Sequence, residues 1–247
     1  MEMPALRNFA LATLCAAALA VTPGAALAGV VVSASGPSAG TYPVGRKLGD
    51  NDPIVLRAGD TLTVLEGSGT RVLRGAGTYT LGQKRGANTS STFAVLTERR
   101  SARRARTGAV RAGDLDTPVR SPNLWYVDVG ASGRMCLAET DRVRLWRRNT
   151  EDDATYSIRD ASGGGNAERV IFMDGEMLAP WDTRALPVTN GSSYRIAEAS
   201  GGGDREITFV VLDTVADDPE ALATQLIENG CTTQLELLSE ATLIAEG

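Results

Sequence analysis

The sequence predicts a mostly β protein with two small β modules, an N-terminal β-roll or sandwich and a C-terminal sandwich built of hairpins, closed by a C-terminal helical hairpin. Three observations carry that expectation. The chain holds 27 glycines and only 5% aromatic residues within an ordinary 43% hydrophobic content, a composition that suits many short strands and tight turns. Over 30–96 and again over 121–212, short apolar and β-branched runs are cut by glycine turns. After Leu212 the period of two gives way to the 3.6 period of amphipathic helices.

The first 28 residues read as a secretory signal peptide. Arg7 supplies a positive charge, 9–21 form an apolar run, and Ala26-Leu27-Ala28 sets small residues at −3 and −1, so cleavage is expected between Ala28 and Gly29. The run is far shorter than the roughly 20 residues needed to cross a bilayer, which leaves an uncleaved anchor as the weaker reading and no transmembrane span after cleavage. The expected address is the periplasm, with secretion as second choice. Cys15 would leave with the signal, and the preceding Leu14 is too large for a lipobox. Cys136 and Cys231 remain, an even pair that reads as a disulfide in an oxidising compartment, with two buried free thiols as the alternative. Closing so long a loop would stabilise the fold by about 4 to 5 kcal/mol in the chain-entropy model. A net charge of −5 argues against nucleic acid as a partner, because neutralising phosphates requires an overall basic domain.

The first module spans 29–97. Strands are expected at 54–56, 61–65, 70–73 and 78–81, separated by Ala58-Gly59-Asp60, Gly67-Ser68-Gly69 and Gly75-Ala76-Gly77. Pro43-Val44-Gly45, then Leu48, Ile54, Ala58-Gly59-Asp60 and two β runs joined by a glycine turn resemble the FecR-type periplasmic domain of bacterial envelope regulators. The resemblance covers about 43–97 and implies a β fold and a regulatory role in the envelope. Members of that family commonly carry a membrane span ahead of the domain, where this chain shows an export signal.

At 98–120 the character changes to Arg99, Arg100, Arg103, Arg104, Arg106, Arg111 and Arg120, with few large apolar residues. A solvated linker is the plainer reading. On a helix, Arg99, Arg100, Arg103, Arg104 and Arg106 would instead spread over one face and offer guanidinium groups to an anionic partner.

The second module is expected over 121–213. Tyr126, Tyr156 and Tyr194 are each followed at the same spacing by Ala-Ser-Gly (131–133, 161–163, 199–201), and the second and third copies also share Ile158 with Ile196 and Glu168 with Glu206. One β-hairpin used three times fits this pattern, with return strands at 134–137, 169–172 and 207–212. Asp174-Gly175 and Asn190-Gly191 signal two further two-residue hairpins. Trp125, Trp146 and Trp181 are expected in the core more readily than stacked on a ligand. Over 214–247, Asp217 or Asp218 caps a helix with Pro219 in its first turn, Leu222, Leu226 and Ile227 on one side and Asn229-Gly230 as the stop. A second helix from 233 to about 245 presents Leu235 and Leu238 inward. Cys231 then sits at the corner of a helical hairpin that a bridge to Cys136 would clamp to the β module.

Chemistry-bearing motifs are sparse. The chain has no histidine, which removes the commonest general base and metal ligand together, and two mature cysteines cannot make a four-thiolate zinc site. Neither Lys47 nor Lys84 follows a serine by three residues, and the glycine runs at 163–165 and 201–203 lack the ending of a phosphate loop. Paired carboxylates are the open catalytic route, with Asp174 and Glu176 as candidates on paper, although a turn explains Asp174-Gly175 without any chemistry. No catalytic residue, metal site or cofactor is assigned. The expected function is non-enzymatic binding or regulation in the periplasm, through another envelope protein or an anionic envelope polymer. The alternative is a carboxylate-dependent enzyme acting on cell wall or polysaccharide.

Overall fold

The computed structural model describes residues 27–81, 89–98, 119–165 and 167–243. The connector arginines Arg99, Arg100, Arg103, Arg104 and Arg106 lie outside the described residues, as do most of the first 28 residues, where the export signal is expected.

β1 (Leu27–Ser35) carries the valine run Val30-Val31-Val32, whose alternation decides its surroundings. Val31 faces the core of the first module, while Val30 and Val32 face a second core shared with the C-terminal helices. Buried on both sides, the strand sits in the interior of an antiparallel sheet of order β2-β1-β4-β5, formed with β2 (Lys47–Gly49), β4 (Thr61–Glu66) and β5 (Gly69–Arg74). A separate pair, β3 (Ile54–Leu56) with β6 (Gly77–Tyr79), covers the sheet. Leu48, Ile54, Leu62, Val64 and Leu73 fill the space between. All four strands expected between 54 and 81 are present, and Asp60 shows why the Ala-Gly-Asp turn forms. Its carboxylate accepts the Ser38 N–H at 2.9 Å and the Arg57 N–H at 2.5 Å. Gly36 lies against it at φ +97°, where a Cβ would come within 2.6 Å of the Asp60 Oδ1, so only glycine fits.

The expected all-strand reading of 30–96 fails at its end, where α1 (Thr89–Leu96) forms. β-branched and hydroxyl residues give this segment little helical propensity of its own. Phe93 and Leu96, one turn apart, bury against the C-terminal helices, and that packing holds the turn in place.

The second module is a two-sheet sandwich. One sheet has the order β11-β10-β13-β14-β8, from β8 (Gly133–Leu137), β10 (Ala154–Asp160), β11 (Glu168–Phe172), β13 (Ser193–Glu198) and β14 (Arg205–Val211). The other has the order β12-β9-β7, from β7 (Tyr126–Asp128), β9 (Arg144–Trp146) and β12 (Leu178–Pro180). Val127, Leu145 and Ala179 of the small sheet meet Met135, Ile158, Ile196 and Phe209 of the large one in a single core. Trp181 is buried there, Trp125 is buried in the core shared with the helices, and Trp146, next to the inward Leu145, is buried outside both. Trp181 donates to the Leu186 carbonyl at 2.8 Å and meets Tyr194 and Phe209 edge-on.

Two of the three expected Tyr-Ala-Ser-Gly hairpins exist, β10–β11 and β13–β14. They lie side by side with Ile158 opposite Ile196, Tyr156 opposite Glu198 and Asp160 opposite Tyr194, so a local two-fold relates their first strands and both tyrosines enter the same core. Their return strands differ by one residue in register: Ile158 pairs with Glu168, but Ile196 pairs with Arg205. That slip turns Glu206 outward opposite Arg195, so Glu168 and Glu206 are not equivalent. The first copy is not a hairpin. β7 pairs in parallel with β9 and β8 pairs in parallel with β14, in different sheets. Likewise Asp174-Gly175 joins β11 to β12 across the sandwich, and Asn190-Gly191 is preceded by an irregular segment containing Pro187, which cannot donate to a ladder.

α2 (Pro219–Glu228) begins at Asp218, whose carboxylate accepts the Ala221 N–H at 2.8 Å, and stops at Asn229-Gly230 with Gly230 at φ +71°. α3 (Thr232–Ala241) is shorter than expected, ending at Thr242. There the Thr70 N–H donates to the Thr242 carbonyl at 2.8 Å, and Leu243 bridges to Thr70 of the first module, so the chain leaves the helix to join a sheet edge. Leu222, Leu226, Leu235 and Leu238 pack between the Val30, Val32 and Leu65 side chains of one module and the Cys136, Val210 and Leu212 side chains of the other. Each buried leucine contributes roughly 1.5 to 3 kcal/mol, and together they join the modules through one apolar layer. The Cys136–Cys231 disulfide lies in that layer, both residues fully buried, with Cα atoms 5.9 Å apart. Among the described residues no helix is long and apolar enough to cross a membrane.

Candidate functional site

Asp128 closes β7 and turns the chain. Its Oδ1 accepts the Gly130 N–H at 2.8 Å and its carbonyl accepts the Ala131 N–H at 3.1 Å. Parallel pairing sets Asp128 beside Trp146, so the chain leaving β9 carries Arg147 and Arg148 to the same end of the sandwich. Arg147 is buried, and among the described residues it has no carboxylate ion-pair partner. Its guanidinium donates to the backbone carbonyls of Glu176 at 2.7 Å, Asp152 at 2.6 Å and Met173 at 2.7 Å, and lies over the Phe172 ring at 5.2 Å. One cation thereby ties the 147–153 loop to the β11–β12 connection. Arg148 faces solvent, 3.8 Å from Asp128 Oδ2.

Between this loop, the Asp128 turn and the β13–β14 turn lies a cleft of about 510 Å³. Asp128, Asp152, Asp153 and Glu198 contribute carboxylates; Arg148, Asn149 and Ser200 contribute donors; Val129 and Ala154 form apolar wall. The Asp153 Oδ1 is engaged by the Asp174 N–H at 2.7 Å, and the Asn149 Oδ1 by the Glu151 N–H at 3.0 Å. Tyr156 forms part of the lining although only 8% exposed. Its ring meets Phe172 edge-on at 5.6 Å, while its hydroxyl has no hydrogen-bond partner among the described residues. Burial raises the Tyr156 hydroxyl above its ordinary value, and the Glu198 charge adds to this. Burial also raises the Asp128 carboxyl, against the opposing influence of the Gly130 N–H and Arg148.

On the other side of the Asp128 turn a smaller cavity of about 140 Å³ opens between β7, β8 and α3, lined by Tyr126, Arg134, Trp146 and Glu236. Asp128 and Arg148 border both spaces. Among the described residues no group of three or more carboxylate or cysteine side chains is placed to hold a metal ion.

The candidate acids Asp174 and Glu176 serve the turn instead: the Glu176 Oε2 accepts the Met173 N–H at 3.0 Å, and Asp174 donates its N–H to Asp153. Ala28 and Gly29, the expected cleavage point, fall near the start of β1. Reading by sequence missed the site because Asp128, Arg147, Tyr156 and Glu198 are spread over 71 positions. The tyrosine of the repeated motif, read only as a hairpin marker, is the local signal that falls within it. Comparison of the chain with protein families, with curated proteins and with solved structures finds no match.

Proposed function

We propose that the chain is an exported, non-enzymatic binding protein of the periplasm, acting through contact with an envelope polymer or protein. The observation that carries this reading is the cleft at the end of the sandwich. It sets acceptors and donors around the Tyr156 hydroxyl, which has no hydrogen-bond partner among the described residues and opens to the cleft. The export signal and the FecR-type resemblance of 43–97 supply the compartment and the regulatory setting. Removal of 1–28 would leave Gly29 paired with Leu48 and Val30 paired with Leu65, so the first sheet survives processing. The test is retention of envelope polymer by immobilised mature protein. Wild type is expected to retain it and a Glu198→Gln/Asp128→Asn double variant to lose most of it, whereas equal retention would remove the cleft from the function. A parallel variant with Arg99, Arg100, Arg103, Arg104 and Arg106 replaced by Ser asks whether the connector contributes an anionic-partner contact.

A second reading is favoured by Asp128 itself, an acid whose carboxyl burial raises and which also borders the cavity lined by Trp146 and Glu236. That is the environment of a general acid. Release of reducing ends from cell-wall or polysaccharide substrate, abolished by Asp128→Asn, would establish the carboxylate enzyme in place of the binder.

A further inference from the structure

We infer that the 510 Å³ cleft takes a neutral, hydroxyl-rich saccharide, with the Tyr156 hydroxyl, held on a largely buried side chain, as the anchor of one sugar ring. The inference rests on reading this cleft as a binding site and names its ligand class.

Two independent features point there. The first is the unpartnered phenol. The Tyr156 side chain is only 8% exposed, and its hydroxyl is the part left accessible, so it is completed by whatever fills the cleft and not by the fold. The neighbouring tyrosine of the duplicated hairpin shows the contrast, because the Tyr194 hydroxyl donates to the Pro187 carbonyl at 2.5 Å. Two tyrosines at equivalent places in adjacent strands therefore meet different ends, one closed by the fold and one left open to the cleft.

The second feature is the mixture of groups around that hydroxyl. Asp128, Asp152, Asp153 and Glu198 outnumber Arg147 and Arg148, and the Arg147 guanidinium is already spread over three carbonyls. An anionic ligand would meet excess negative charge. A cationic amine would leave the donors of Arg148, the Asn149 amide and the Ser200 hydroxyl unused and would face the Arg148 charge. Sugar hydroxyls donate to carboxylates and accept from guanidinium and amide groups at once. Ala154, half-buried, gives the wall a small apolar surface for the C–H face of a pyranose.

The experiment is a titration of isotope-labelled mature protein, followed by amide chemical shifts, with tetrasaccharides of glucose and of N-acetylglucosamine as probes. Tetragalacturonate serves as the anionic arm and spermidine as the cationic arm. Neutral tetrasaccharides are expected to shift the amides of Val129, Ala154 and Ser200. Tyr156→Phe is expected to weaken binding about 5-fold, one hydrogen bond's worth, and Glu198→Gln to weaken it comparably. Because the hydroxyl has no partner among the described residues, Tyr156→Phe is expected to melt at or above the wild-type temperature, which separates a ligand contact from a structural one. Shifts with spermidine or tetragalacturonate alone would overturn the saccharide class. If envelope polymer is still retained through Glu198 and Asp128 in that case, the binding reading stands. Tetrasaccharide shifts unchanged by Tyr156→Phe would overturn the anchor. If no probe shifts the amides and no envelope polymer is retained, the inference and the binding reading fail together.

Discussion

Gln234 completes the edge of a β-sheet by pairing with the backbone of Cys136. Its Oε1 accepts the Cys136 N–H at 2.7 Å, and its Nε2 donates to the Cys136 carbonyl at 2.9 Å and to the Leu124 carbonyl at 2.8 Å. β8 is the edge strand of the large sheet, and at this residue a side-chain amide stands where the peptide of a further strand would. Three residues earlier in the chain, Cys231 bonds covalently to the same Cys136. The start of α3 therefore holds one residue by its backbone and by its side chain, and a buried amide with all these partners met also fixes how the helices sit on the sandwich.

Replacing Gln234 with Ala strands three buried backbone groups, each worth about 1 kcal/mol or more when left unsatisfied. We expect Gln234→Ala to lower unfolding free energy by about 3 kcal/mol in urea titration, with Gln234→Glu no better because it loses the donors and buries a charge. A loss under about 1 kcal/mol would mean that water replaces the amide freely.

The disulfide closes a sequence separation of 95 residues, worth about 4 to 5 kcal/mol in the chain-entropy model. The Cys136→Ala/Cys231→Ala double variant should lose an amount of that order in denaturant titration. Native and unfolded protein alike should yield no titratable thiol from this pair without a reductant, since both sulfurs are bonded, and in the native state a reductant should act slowly because both residues are fully buried.

Arg147→Lys keeps the charge but not the planar fork that reaches three carbonyls. We expect a loss of about 2 to 3 kcal/mol, accompanied by faster hydrogen exchange at 148–153, the wall of the cleft. Exchange unchanged from wild type would show that other contacts hold the loop.

Burial raises the Asp128 carboxyl above its ordinary value of 3.8. Protonation then favours the folded state, so the stabilisation is complete below about pH 3.8 and is lost as pH rises through the folded value. Asp128→Asn removes that loss. The melting temperature of the variant minus that of wild type should grow as pH rises from 3 towards 7 and then level off. A difference that shrinks with rising pH would place this carboxyl below the usual range instead.

Much of the architecture was legible because it depends on neighbours in the chain. The strands at 54–56 and 61–65 follow from alternation bounded by Gly59 and Gly67, and α2 follows from Asp218, Pro219 and Gly230, each acting within one turn. The disulfide followed from counting cysteines on the expectation that Cys15 lies in a cleaved signal. The failures are equally specific. α1 has poor helical residues and exists through the burial of Phe93 and Leu96. The Tyr126 segment looks like the Tyr156 and Tyr194 hairpins, yet its strands diverge into two sheets through the parallel partners β9 and β14, which no turn signal encodes.

Local chemistry in the chain thus determined which segments become strands, turns and helices, because caps, glycine turns and side-chain alternation act over a few residues. Tertiary structure alone decided which strands pair across long separations, that the helices bind both β modules through one apolar layer, and that Asp128, Arg147, Tyr156 and Glu198 share a cleft. Those outcomes depend on burying side chains from distant segments together, and that free energy exists only once the segments have met.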